Sequence, residues 1–171
     1  MANPGNAWLD GTIPSAHEQV QRKMATLERA IQIAAGALHA YQVDKAGEPY
    51  ILHPLRVMLR LTSPQERMAA VLHDVVEDTD ISLESLVAHG FDADVVSAIE
   101  ALTKRPGETR LQAAARAAAN RIALQVKLAD NAENSDLSRI THPAARDYAR
   151  LEEYKAVREL LLKHLPSKSL D

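Results

Sequence analysis

The chain has 171 residues, 46% of them hydrophobic, and a formal net charge of −3. That length can bury a full core without staples, and the acidic balance argues against a nucleic-acid binder, whose affinity rests on a basic surface. Cysteine is absent, which excludes a disulfide scaffold and fits a reducing, cytoplasmic setting; no run reaches the length of a membrane span, and residues 1–14 lack the basic start and apolar core of a signal peptide.

Apolar periodicity predicts an all-α protein. One domain is expected over residues 15–165, between an N-terminal extension (1–14) and a tail (166–171). Aromatics make up only 4%, so aliphatic side chains and alanine must fill the core. Ser15-Ala16-His17-Glu18 has the form of a capping box opening the first helix. Leu27, Ile31, Ala34 and Leu38 give the next helix its buried stripe. Gly47 marks a loop, after which Leu55, Met58, Leu59 and Thr62 share a face. Ser63-Pro64-Gln65-Glu66 combines a cap, a proline and a returning carboxylate, and opens a helix expected to carry His73 through Asp78. Short helices follow at about 83–89 and 92–102. Lys104-Arg105-Pro106-Gly107 reads as a loop, and Thr109 to Gln112 as another capping box. The alanine run 113–119 suits a close-packed helix. Helices at 121–134 and 143–165 complete the chain, the last with Tyr148, Leu151, Tyr154, Val157 and Leu161 as its stripe.

Chemistry concentrates at His73-Asp74-Val75-Val76-Glu77-Asp78. Two polar ligand types followed by two more carboxylates stand among the apolar Met68, Leu72, Val75 and Val76. Burying that charge is expensive without a neutraliser, and a divalent cation is the simplest one. On a helix His73 stacks over Glu77 and Asp74 over Asp78. The layout suggests two ligands with two outer carboxylates beside them, able to hold or deprotonate a water. Further ligands are expected from His53, held before Pro54 at a helix entrance, and from Asp130 at the end of the apolar run Gln125-Val126-Lys127-Leu128-Ala129. Taken singly, His53 reads as a cap, Asp130 as a partner of Arg121 or Lys127, and Glu77 and Asp78 as a solvated helix end. As a set, His53, His73, Asp74 and Asp130 offer imidazole and carboxylate, which suits Mn²⁺, Fe²⁺ or Zn²⁺ better than Ca²⁺ or Mg²⁺.

These motifs resemble the HD-domain superfamily of metal-dependent phosphohydrolases, and within it the Rel/SpoT-type alarmone hydrolases. The resembling pieces are Gly47-Glu48-Pro49-Tyr50-Ile51-Leu52-His53-Pro54, Ala69-Ala70-Val71-Leu72-His73-Asp74-Val75-Val76-Glu77-Asp78-Thr79, and Val126-Lys127-Leu128-Ala129-Asp130 with Asn134. The resemblance implies a helical HD bundle with its metal site in a central cleft. It implies ligation of one ion, usually Mn²⁺, by His53, His73, Asp74 and Asp130, with Glu77 and Asp78 managing the attacking water. It further implies that Asn134 contacts the nucleotide, and that the reaction removes the 3′-pyrophosphate of guanosine tetraphosphate or pentaphosphate. With no further sequence to form a synthetase, a stand-alone small hydrolase is the expectation, with a small nucleotide as partner and no nucleic acid or membrane.

Two positions differ from the family pattern. Asp44, followed by Lys45, stands where an arginine usually helps to hold the guanine, and Ser135-Asp136 stands where another arginine often follows Asn134. Carboxylate in place of guanidinium reverses the charge near an anionic substrate. Asp44 can instead accept from a base amino group, and Lys45 is a candidate phosphate contact. Arg56 reads as a phosphate contact or a solvated helix residue, Lys127 as pointing into the cleft or away from it, His39 as a packed or surface histidine, and Lys104 and Arg105 as a solvated loop or phosphate contacts. The two charge reversals favour a second reading, an HD phosphohydrolase or phosphatase of another nucleotide. A third, a nucleotide sensor without turnover, has no use for the Glu77 and Asp78 pair.

Overall fold

The computed structural model describes residues 24–37, 42–44, 46–138 and 140–166. The capping box at residues 15–18, Leu38, His39, Lys45 and the tail beyond Pro166 lie outside the described residues. The described helices are α1 (Leu27–Ala37), α2 (Leu52–Leu59), α3 (Pro64–Leu72), α4 (Val75–Asp78), α5 (Leu83–Ala88), α6 (Ala93–Leu102), α7 (Arg110–Ala118), α8 (Arg121–Asn134) and α9 (Ala145–Leu162). None is long and apolar enough to cross a membrane.

Helix α3 is the hub and packs against α1, α2, α6 and α8. Its Ala69, Ala70, Val71 and Leu72 are fully buried. Two small alanines let the surrounding backbones approach closely, which a chain poor in aromatics requires. A second apolar cluster joins α7, α8 and α9 through Ala114, Ala118, Leu124, Val157 and Leu161. Helix α8 serves both clusters and is buried around most of its circumference, including Asp130, Asn131 and Glu133. Buried polar groups on such a helix need partners: Asp130 and Glu133 have them, and the Asn131 amide donates to the Tyr154 carbonyl while its Oδ1 is left unbonded.

Local signals set most boundaries. Thr109 and Gln112 form the reciprocal capping box of α7. The Asn120 side chain caps α8 by accepting from the backbone N–H of Ile122 and Ala123, both at 3.0 Å. Gly47 takes φ 82°, a left-handed turn residue, inside a tight hairpin whose arms pair Val43 with Pro49.

Four expectations are corrected. The helix opened by Pro64 ends at Leu72, with His73 and Asp74 in a turn before α4. The His73 Nδ1–H donates to the carbonyl oxygen of Ala70 at 2.7 Å. In an uninterrupted helix that carbonyl would receive the N–H of Asp74, so the imidazole competes with the backbone at the break. Ser63 supplies no side-chain cap to α3; its hydroxyl faces Gln65 instead. Tyr148 is 56% exposed and so stands outside the buried stripe of α9, and on the face shared by Leu55, Met58 and Leu59 the last is 70% exposed. On α2 the buried face is His53, Pro54 and Val57. Pro54 is not the first helical residue, because α2 begins at Leu52; it still lies in the first turn, where a missing N–H costs nothing.

Candidate metal centre

Three separate elements deliver the polar cluster. The first turn of α2 carries His53, the turn between α3 and α4 carries His73 and Asp74, and α8 carries Asp130. His53, His73 and Asp130 are buried at 6%, 5% and 6% exposure. One ligand atom from each lies within 4.8 Å of the other two. The Nε2 of His53 is 3.3 Å from Oδ1 of Asp130, and the Nε2 of His73 is 3.8 Å from that same oxygen. Asp74 spans both imidazoles, with Oδ1 at 3.1 Å from His73 Nε2 and Oδ2 at 3.9 Å from His53 Nε2.

The donor set fits a cation. Ala70 offers only a carbonyl, so the neutral His73 ring carries its hydrogen on Nδ1 and presents a bare lone pair at Nε2. That lone pair faces carboxylate oxygens, which are also lone pairs. A cation among them, or a proton on Nε2, would turn these contacts into attractions. Metal–ligand bonds of about 2.1 Å put neighbouring donors roughly 3.0–3.4 Å apart, close to the shorter separations here.

The surrounding groups orient these donors. The Tyr50 hydroxyl donates to Asp74 Oδ2 at 2.7 Å. Burial, together with the charge and hydrogen bond of Asp74, pushes the Tyr50 phenol well above its usual range and keeps it a donor. Lys127 points into the cleft, where its Nζ donates to Asp130 Oδ2 at 2.9 Å. Asn134 Nδ2 donates to Asp130 Oδ1. Burial alone would raise the Asp130 carboxyl, but the Lys127 ammonium and the two histidines hold it well below the ordinary range. Burial opposes a charged His53, yet the hydrogen bond and charge of Asp130 raise it overall. The charge of Asp130 likewise raises Lys127 against the cost of its burial.

The cluster lies in a cleft of about 450 Å³, whose lining also includes Glu77, Lys104, Arg110, Lys127 and Tyr154. Glu77 is exposed to the cleft, and its Oε2 accepts the backbone N–H of Lys104 at 2.9 Å. Asp78 lies outside that lining. Partial burial, then the charges of Asp74 and Glu77, raise its carboxyl. Asp44 lines the cleft, but its Oδ1 accepts the N–H groups of Ala46 and Glu48 and its Oδ2 pairs with Arg56 at 3.0 Å. Arg56 is thus partly exposed, held by carboxylates, and outside the cleft lining. Sequence reasoning missed Tyr50 as the hydrogen-bond donor to Asp74, and Arg110, which stacks 5.2 Å from the Tyr154 ring. Tyr50 stands inside a recognisable motif, but nothing local names Asp74 as its acceptor.

The HD domain family model matches residues 30–138. The chain belongs to the HD domain family. It is 38% identical over 91 residues to a guanosine-3′,5′-bis(diphosphate) 3′-pyrophosphohydrolase of Borreliella burgdorferi, covering 51% of this chain and 13% of that protein. It is 51% identical over 71 residues to a probable enzyme of the same name from Synechocystis, covering 39% of this chain and 9% of the relative. The matched part is therefore a small fraction of those relatives. A solved structure of a metazoan ortholog of SpoT, described as hydrolysing ppGpp with a role in starvation responses, matches with TM-score 0.66 and 26% identity over 93% of this chain and 90% of that one.

Proposed function

We propose that this chain is a Mn²⁺-dependent hydrolase that removes the 3′-pyrophosphate of guanosine tetraphosphate or pentaphosphate, leaving GDP or GTP. The observation that carries this reading is the convergence of His53, His73 and Asp130 in an HD domain whose likeness to a ppGpp-hydrolysing protein extends over nearly the whole of both chains. His53, His73, Asp74 and Asp130 would hold the ion. Bound there, a divalent cation supplies Lewis acidity toward a phosphoryl oxygen and acidifies a water.

The residues of the chain do the rest. Glu77, facing the cleft, takes the proton of the attacking water, and the N–H of Lys104 fixes the direction of its carboxylate. Asp78 adds negative charge beside it. Water oxygen bonds to phosphorus, the bond from phosphorus to the ribose 3′-oxygen breaks, and that oxygen regains a proton. Lys104, Lys127 and Arg110 line the cleft and offset the charge on the phosphate oxygens. Asn134 holds Asp130 through its amide hydrogen and keeps its carbonyl oxygen for a sugar hydroxyl. Lys45 serves as a further phosphate contact.

A second reading, hydrolysis of another nucleotide, draws on Asp44. Its carboxylate stands at the cleft where the related enzymes usually place an arginine, and here it binds its own hairpin and Arg56. Incubation with Mn²⁺ and a panel of nucleotides, with product identification, separates the two. Pyrophosphate released from guanosine tetraphosphate supports the first reading. Orthophosphate or pyrophosphate from other nucleotides alone replaces it with the second.

A further inference from the structure

A partly buried ion-pair network centred on Glu133 stands behind the metal centre, and the catalytic roles above make no use of it. Glu133 is 3% exposed on α8, one turn beyond Asp130. It receives Arg56 of α2 and Arg60, the residue that follows that helix. Arg56 Nε donates to its Oε1 at 2.9 Å, and Arg60 Nη2 donates to its Oε2 at 2.8 Å. Arg56 reaches further. Its other nitrogens donate to Asp44 Oδ2 and Glu48 Oε2, each at 3.0 Å. One guanidinium therefore ties together the 42–50 hairpin, α2 and α8. A lysine cannot reproduce this, because only the planar fork presents donors in three fixed directions.

The placement gives the network a task. The hairpin ends in Tyr50, which orients Asp74, and runs directly into His53. Helix α8 carries Asp130, which His53 faces at 3.3 Å. The relative position of these groups thus depends on how the hairpin and α2 are held against α8. We infer that Arg56 is a positioning residue for the metal centre: by gripping Asp44, Glu48 and Glu133 together, it sets the hairpin and His53 against Asp130. Asp44 then acts in the metal centre's architecture and not in reading a base. The inference rests on the metal-site reading of the proposed function.

Arg60 supplies the control. It shares Glu133 with Arg56, and among the described residues it makes no bond to the hairpin. Arg60→Met therefore tests the loss of an ion pair, and Arg56→Met the loss of the hairpin tie as well. Two readouts are used: Mn²⁺ affinity by titration calorimetry, and amide hydrogen exchange at Ala46, Glu48 and Tyr50, whose N–H groups are bonded within the hairpin. Both variants should unfold at lower temperature. Arg56→Met should weaken Mn²⁺ binding about tenfold or more and speed exchange at those amides by a similar factor, while Arg60→Met stays within about twofold of the wild type on both. Should Arg56→Met fail to fold, Arg56→Lys carries the same comparison. Wild-type Mn²⁺ affinity in the Arg56 variant, or an equal loss in both variants, overturns the positioning role. A wild-type protein that binds no Mn²⁺ overturns the metal-site reading itself and the inference with it.

Discussion

The Nδ1–H of His73 donates to the carbonyl oxygen of Ala70 at 2.7 Å. This one bond has two consequences. It coincides with the end of α3 and the turn at His73 and Asp74, and it fixes the tautomer that aims Nε2 at the carboxylates of Asp74 and Asp130. Local backbone geometry and the orientation of the His73 ring are thus one feature. His73 and Glu77 both line the cleft, His73 buried at its floor and Glu77 exposed.

Glu77→Gln should keep the fold and the metal, because an amide oxygen can still accept the N–H of Lys104. It cannot take a proton. Turnover should fall by roughly 10²–10⁴-fold, the usual range for a lost general base. Steady-state kinetics alongside Mn²⁺ titration checks this. Turnover at the wild-type rate would remove Glu77 from the proton path.

Tyr50→Phe deletes the hydroxyl that orients Asp74 and little else. Removing such a partner of a metal ligand typically weakens metal binding about 10–100-fold, so Mn²⁺ affinity should drop by that order. Equal affinities for the variant and the wild type would show that Asp74 is oriented without it.

The Thr103–Glu108 loop has a pH signature. Arg116 donates to both oxygens of Glu108 and to the carbonyls of Glu100, Ala101 and Thr103. The Arg116 hydrogen bonds, with the N–H of Arg105, hold the Glu108 carboxyl at about 2, against an ordinary value of 4.5. A depressed carboxyl stabilises the fold above its unfolded value and loses that effect as pH falls toward its folded value. The contribution should be complete above about pH 4.5 and fade between 4.5 and 2. Glu108→Gln should cost roughly 1 kcal/mol near neutrality, after allowance for solvent screening. Thermal midpoints of the two proteins should converge as the pH drops through that window; a gap that widens in acid contradicts the assignment.

The legibility of this chain divides along physical lines. Thr109 with Gln112, and Pro64 as the opening of α3, were readable because capping and proline geometry are local. The convergence of His53, His73 and Asp130 was readable because buried charge in apolar runs needs a common neutraliser. Tyr148 misled because periodicity marks an apolar face without saying whether anything covers it. The break after Leu72 was hidden because it involves a side-chain bond to the backbone that competes with the helix. Arg56 and Lys127 were left open for a related reason: their partners Glu133 and Asp130 become visible only when α2 and α8 are placed side by side, or when a side-chain direction is known. Asp44 lines the cleft, as expected of a residue near the substrate, and its bonds to Arg56 and to its own hairpin could not be read from the sequence.

The most direct test is Mn²⁺ titration of the purified, metal-stripped protein, with His73→Ala and Asp130→Asn in parallel. One ion per chain should bind to the wild type, and binding should be lost or severely weakened in both variants while each remains helical by circular dichroism. A wild-type protein that takes up no Mn²⁺, Fe²⁺ or Zn²⁺, or variants that bind as the wild type does, would contradict a metal centre built from these side chains.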